Sequence, residues 1–151
     1  MQVTFSEIGY VDNDVEHQTD ENWGSVCSRI VLKDEYRNGL KGLEEFSHVL
    51  VITYLHESKF SVERHLQRRP RNLFDMPLVG IFSQRAKDRP NPIGVTAVKI
   101  IEVNEESLVV EGLDAIKGTP VLDIKPYYPV YDIVHNARVP EWVERLMTNY
   151  F

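Results

Sequence analysis

Apolar and polar positions along the chain repeat at the short spacing of β-strands more often than at helical spacing. Gln2 to Val11 alternates well enough for a strand, with Val3, Phe5, Ile8 and Val11 as its apolar members. Ser25 to Leu32, rich in Val and Ile, predicts a second strand, and Lys33 to Gly39 a turn after it. Leu40, Leu43 and Phe46 sit three residues apart, so Leu40 to Phe46 reads as a short helical segment. It is too short to hold by itself and must dock on a sheet. His48 to Leu55 is a near-continuous apolar run and predicts a strand buried on both faces. Leu78 to Phe82 predicts a short strand and Ile93 to Val103 a long one. Asn104 to Glu106 then turns the chain into a hairpin partner, Ser107 to Leu113. Val121 to Lys125 is a last short strand, stopped by Pro126 and Pro129, which cannot donate to a ladder. Only Pro140 to Tyr150 predicts a longer helix. Pro140 suits its first position, Glu141 and Glu144 its positive end, and Trp142, Leu146 and Met147 its apolar side.

This makes about seven strands with no helix between successive ones, which argues against a Rossmann-type parallel sheet. No Gly-x-Gly-x-x-Gly follows the first strand. The expected fold is mainly β: one antiparallel barrel, closed or partly open, with a short helix and a C-terminal helix. At 151 residues the chain has the size of a single domain with a normal core. No apolar run approaches the ~20 residues of a membrane helix. The opening Met1 to Glu7 has neither the basic start nor the apolar core of a signal peptide. Cys27 is the single cysteine, so no intrachain disulfide can form and a reducing, cytoplasmic setting is expected. One thiol and scattered histidines give no zinc pattern.

Charge changes the picture of the loops. The formal net charge of −6 argues against indiscriminate nucleic-acid binding. Yet Val62 to Pro90 holds seven Lys/Arg against three Asp/Glu, a local +4 in a chain whose remainder carries −10. Within it the polar insertion Glu57 to Pro77 carries Arg64, Arg68, Arg69 and Arg71. These form either a solvated surface loop or a landing site for phosphates. The polar stretch Asp12 to Trp23 is a loop in which Trp23 either packs back on the core or stacks on a ligand or base. His56-Glu57 follows a buried strand and falls where a pocket rim is expected.

The densest stretch is Arg85 to Gly94. Pro90 and Pro92 fix their own φ and push Arg89 and Asn91 towards extended geometry. The result is a stiff, kinked loop with three cations and an amide, which loses little entropy on ordering around a ligand. Gly80-Ile81-Phe82-Ser83-Gln84-Arg85 followed by Arg89-Pro90-Asn91-Pro92-Ile93-Gly94 resembles the signature of the TrmO family, also called TsaA-like or YaeB-like. Gly39 to His48 with Leu55-His56, and Gly118 to Tyr127, agree in order and spacing. Where the family often has Asp-Gly-Thr-Pro, this chain has Lys117-Gly118-Thr119-Pro120; where it often has Pro-x-Gln, this chain has His17-Gln18-Thr19-Asp20. The chain also stops short of the C-terminal extension of longer bacterial members.

The resemblance implies a barrel, S-adenosylmethionine as cofactor, and methylation of a threonylcarbamoyl-modified adenosine beside the tRNA anticodon. It also implies a homodimer with the site near the interface. It places the cofactor among His56, Glu57, Phe82, Ser83, Arg85 and Asp114, Ala115, Ile116, Lys117, Gly118. In that assignment Arg85 suits the cofactor carboxylate, and Phe82 and Ile116 its apolar face. Acceptor positioning falls to Arg89, Asn91, Asp123, Lys125 and Tyr127, with Tyr127 suited to stack on an extruded base. Asp123 and Lys125 could instead form an internal salt bridge. Arg64, Arg68, Arg69, Arg71 and Trp23 are the candidate RNA contacts. Methylation of a small molecule, or a non-catalytic cofactor- or RNA-binding module, are the competing functions.

Overall fold

In the computed structural model, which describes residues 1–151, six strands close an antiparallel barrel. They are β1 (Gly9–Asp12), β2 (Cys27–Leu32), β3 (His48–Tyr54), β6 (Ile93–Val103), β7 (Ser107–Glu111) and β8 (Pro120–Pro126). The order around the barrel is β1-β2-β7-β6-β3-β8. Two short strands, β4 (Gln67–Arg68) and β5 (Val79–Gly80), form a separate two-stranded sheet. The helices are α1 (Val62–His65), α2 (Pro129–Asp132) and α3 (Glu141–Leu146). No helix is long and apolar enough to cross a membrane.

The core is the barrel interior. Val11, Ile30, Val49, Val51, Leu108, Val110 and Val121 are completely inaccessible there. Burying each such side chain contributes roughly 1.5–3 kcal/mol. Packing is tight enough to require a glycine at position 9. A Cβ there would lie 2.2 Å from the Val31 carbonyl oxygen across the β1–β2 pair.

Several elements differ from expectation. The first strand begins at Gly9 rather than Gln2, because the first ladder contacts to β8 are Ile8 N–H to Val121 O and Gly9 opposite Val121. Residues 2–7 are exposed. β3 is buried on one face only. Val49, Val51 and Thr53 point inward, whereas Leu50 and Ile52 are half-exposed and Tyr54 is exposed. A barrel has a single filled side, and no second layer of this chain covers the outside. Leu40 to Phe46 is not one helix. Two 3-10 segments, Asp34–Leu40 and Leu43–Glu45, are separated at Gly42, whose φ is +94°. The insertion after β3 is not structureless, since it contains α1 and half of the β4–β5 sheet.

The C-terminal helix ends at Leu146. Asn149 takes a left-handed backbone, and the carbonyls of Asn149 and Tyr150 turn away to accept the N–H groups of Asn22 and Trp23, both at 2.8 Å. We expect Gly9→Ala to destabilise the protein by about 1–3 kcal/mol through overpacking against backbone that cannot yield. Urea unfolding measures this, and an unchanged midpoint would contradict the packing described.

Candidate functional site

The site is built on the first half of β6. Residues Ile93–Lys99 pair with β3, and only Lys99–Val103 also pair with β7. The edge of Ile93–Val98 is therefore open, and three loops converge on it. The central loop enters directly through Pro92, whose carbonyl accepts the Leu55 N–H at 2.7 Å. Arg85 reaches back and donates to the Val95 carbonyl at 2.5 Å. One residue along, the Thr96 hydroxyl donates to Asp114 Oδ1 at 2.5 Å. The third loop, His56-Glu57, follows β3, and Lys87 Nζ donates to the Glu57 carbonyl at 3.4 Å. Gly94 permits this convergence, because a Cβ there would meet Thr53 Oγ1 at 2.5 Å and Leu55 Cδ2 at 3.1 Å.

The central loop is held by side chains rather than by its own backbone. Arg89 donates to the carbonyls of Gln84 (2.9 Å) and Ala86 (3.3 Å). Buried Gln84 donates to the carbonyls of Arg68 and Val79, tying the loop to the β4–β5 sheet. Asp88 is the hub. It accepts from the Lys59 N–H at 2.8 Å and from Lys87 Nζ at 3.0 Å. His65 Nε2 and Arg68 each approach its other oxygen at 3.9 Å. Burial alone would push the Asp88 carboxyl up. The Lys59 N–H and the Lys87 ammonium outweigh burial and hold the carboxyl below its ordinary value.

The loop's own amides remain unspent. From Arg85 to Asn91 no backbone N–H donates to another group of the chain. The same holds for Ala115 and Ile116, whereas Lys117 and Gly118 donate to the carbonyls of Val15 and Val11. Two sets of free donors thus belong to the loops that reach the open edge of β6, where the Arg85 guanidinium sits on the Val95 carbonyl. That donor set suits a ligand carrying a carboxylate and hydrogen-bonding heteroatoms. Phe82, 79% exposed, offers an apolar ring, with Ser83 exposed beside it.

Not every expected residue lies at this place. Ile116 is 6% exposed, so it offers backbone and not an apolar face. Trp23 is 3% exposed, and its indole N–H donates to the Thr19 carbonyl at 2.9 Å. Its role is packing, which corrects the expectation of an RNA contact. Asp123 and Lys125 form the internal ion pair, at 2.6 Å, on the outer face of β8 beside Ile52 and Leu50. Tyr127 lies beside His48, at the far end of β3 from Tyr54, about 20 Å along the strand. Arg89 and Asn91 therefore lie at one end of β3, and Tyr127 at the other.

The arginine run is tied into the fold rather than freely solvated. Arg68 faces Asp88, and Arg69 donates to the Met76 carbonyl. Arg71 faces Asp20 at 3.5 Å and lies 5.9 Å over the Tyr150 ring. Arg64 is exposed on α1. A nearby depression of about 290 Å³, lined by Glu7, Gly9, Tyr10, Leu32, Lys33, Gly118 and Pro120, shares Gly118 with the candidate site but nothing with the central loop.

Sequence reasoning missed four residues that shape the site: Asn13, Gln84, Asp88 and Tyr150. Asn13 is buried, donates to Ser28 and to the Ala115 carbonyl, and accepts from the Val15 N–H. Each is a single polar residue that takes at least one partner from another element of the fold, which no local pattern reveals.

Residues 13–133 match the family described as tRNA-methyltransferase O N-terminal domain. The chain belongs to this family. A probable S-adenosyl-L-methionine-binding protein of Methanothermobacter thermautotrophicus is 38% identical over 136 residues, covering 87% of this chain and 95% of that protein. The human tRNA (adenine(37)-N6)-methyltransferase is 39% identical over 121 residues, covering 79% of this chain. A crystal structure of TrmO from Pseudomonas aeruginosa superposes with a TM-score of 0.76 at 29% identity, covering 94% of this chain. The chain spans only 27% of the human protein and 62% of the crystallised one.

The central hub gives a pH prediction. Because the Asp88 carboxyl is lowered in the folded state, it stabilises the fold above the ordinary carboxylate range near pH 4. That contribution is lost as pH falls through the lower, folded value. Asp88→Asn should therefore cost about 1–2 kcal/mol at neutral pH and progressively less towards about pH 3. Urea titrations of both proteins across that range measure the gap, and a gap independent of pH would contradict the assignment.

Proposed function

We propose that this protein is an S-adenosylmethionine-dependent methyltransferase that modifies the exocyclic amine of an adenosine in the tRNA anticodon loop, with the threonylcarbamoyl-modified base as its substrate. The observation that carries the reading is the convergence of the family's motif loops on the open edge of β6, with free amides in the loops of Arg85 and of Asp114. Arg85 and the Ala115 and Ile116 N–H groups would hold the carboxylate and polar atoms of the cofactor, with Phe82 against its apolar part. His56, Glu57, Ser83, Asp114, Lys117 and Gly118 complete the rim. When bound, the cofactor supplies an activated methyl group. The protein's share is alignment of the acceptor nitrogen, the task assigned to Arg89 and Asn91. The amine can release its proton as the bond forms, so no strong base is required. A cytoplasmic setting goes with a tRNA substrate.

We also propose that the working unit is a homodimer. The outer face of β3 and β6 presents Leu50, Ile52, Tyr54, Ile93, Val95 and Ala97, apolar or aromatic side chains left partly or largely in water. A contiguous apolar face of this kind is what a partner covers. The same face explains the separation of the acceptor residues. Tyr127 lies too far along β3 to join Arg89 and Asn91 of its own chain, but a second copy packed on this face can bring it in. Breaking the Asp123–Lys125 pair to engage a substrate costs little, since Lys125 is well exposed.

Purified protein with labelled S-adenosylmethionine should transfer the label to threonylcarbamoyl-modified tRNA; transfer to small molecules alone would move the substrate to another class. Arg85→Ala should weaken cofactor binding by roughly 1–3 kcal/mol in calorimetry, the usual loss for a charge-assisted bond. An unchanged affinity would remove Arg85 from the site. Mixing inactive Arg89→Ala with inactive Tyr127→Ala should restore part of the activity, because one of the two sites in a mixed dimer is then intact. Absence of any recovery would sink the shared-site arrangement.

A further inference from the structure

The last residues of the chain lie outside the family-matched span of 13–133, yet they reach the candidate cofactor loop. Tyr150 Oη donates to Asp114 Oδ2 at 2.6 Å. The other oxygen of the same carboxylate is held by Thr96 of β6. Asp114 is thus clamped between the barrel and the tail. The tail is itself fixed on two further sides. Its carbonyls at Asn149 and Tyr150 accept from Asn22 and Trp23, and the Arg71 guanidinium lies over the Tyr150 ring. Phe151 packs so closely on Gly24 that a Cβ there would lie 2.6 Å from its backbone. Burial and the Asp114 carboxylate raise the Tyr150 phenol above its ordinary value, so it remains a donor throughout the working pH range.

Asp114 is the residue immediately before the two free amides, Ala115 and Ile116. Whatever fixes its side chain also fixes where those N–H groups point. We propose that Tyr150 is a positioning residue for the cofactor site, holding the Asp114–Gly118 loop, through its phenol on Asp114, in the arrangement that receives the cofactor. This rests on the S-adenosylmethionine reading above. Loss of a bond to a carboxylate from a loop of this kind lowers the fraction of molecules ready to bind, and the apparent affinity falls by that fraction.

Tyr150→Phe removes only the hydroxyl. It keeps the ring under Arg71 and the backbone bonds to Asn22 and Trp23. Two measurements on the full chain test the proposal. Without cofactor, hydrogen exchange at the Lys117 and Gly118 amides should quicken several-fold in the variant. With S-adenosylmethionine as the probe, calorimetry should show about tenfold weaker binding. In an Asp114→Ala background, which leaves no acceptor at this position, the same substitution should add no further loss, because its effect runs through that carboxylate. Unchanged exchange overturns the proposal, as does an equal loss in both backgrounds. Tighter binding by the variant also overturns it, since the tail would then be competing with the cofactor. Should the parent protein bind no S-adenosylmethionine, the cofactor reading falls, and the exchange comparison still decides whether Tyr150 orders the loop.

Discussion

The pairing of β3 with β6 is the constraint on which the site depends. Seven residues of each strand lie in continuous register, from His48 opposite Lys99 to Tyr54 opposite Ile93. That register sends Val49, Val51 and Thr53 inward and Leu50, Ile52 and Tyr54 outward. A slip of one residue would reverse both sets and expose the core. The same ladder places Leu55 against Pro92, and so joins the His56-Glu57 rim to the central loop. Because β6 leaves this pairing for β7 only at Lys99, its first half keeps an unpaired edge. Arg85 and Asp114 settle on that edge. The position of the candidate site is therefore a consequence of where one strand changes partners.

Charge organises the region at a second level. The central loop and the insertion before it are crowded with cations, and Asp88 is the acid around which they are arranged. It binds the loop to Lys59, to α1 through His65, and to β4 through Arg68. The basic zone is in this way largely a matter of internal cohesion. What remains for a partner is narrower than the sequence count suggests: Arg85, Arg89 and Asn91 at the rim, Arg64 on α1, and the free amides of the central loop.

The parts of this arrangement legible in the sequence are those set by local backbone chemistry. Ile93–Val103 is a strand from end to end as expected, since the prolines before it and the β-branched residues within it act on their immediate neighbours. The kinked loop and the mainly β barrel follow from the same cues. What the sequence hides is pairing. Nothing in Val49 to Leu55 says that only one face is filled, because a strand buried on both faces and one with an open apolar outer face carry the same apolar run. Nothing local fixes Trp23, since the tail whose Tyr150 carbonyl accepts its N–H lies over a hundred positions away. Separation along the chain likewise conceals Asn13 on Ala115, 102 positions apart, and Tyr150 on Asp114, 36 apart. The Asp123–Lys125 pair was visible as an alternative because its two members are two residues apart on one face of a strand.

The unspent amides of the Arg85 to Asn91 loop carry a further consequence. Most loops keep their shape by bonding N–H to C=O within themselves, and a ligand that needs those groups must first dissolve the shape. Here the shape comes from two pyrrolidine rings and from the loop's own side chains, Arg89 on the Gln84 and Ala86 carbonyls and Asp88 on the Lys59 N–H. Its donors can be handed to a guest without loosening anything. The cost of occupancy is then the removal of water rather than the rearrangement of chain. Selectivity becomes that of a fixed mould, which rejects a ligand of the wrong outline instead of adjusting to it.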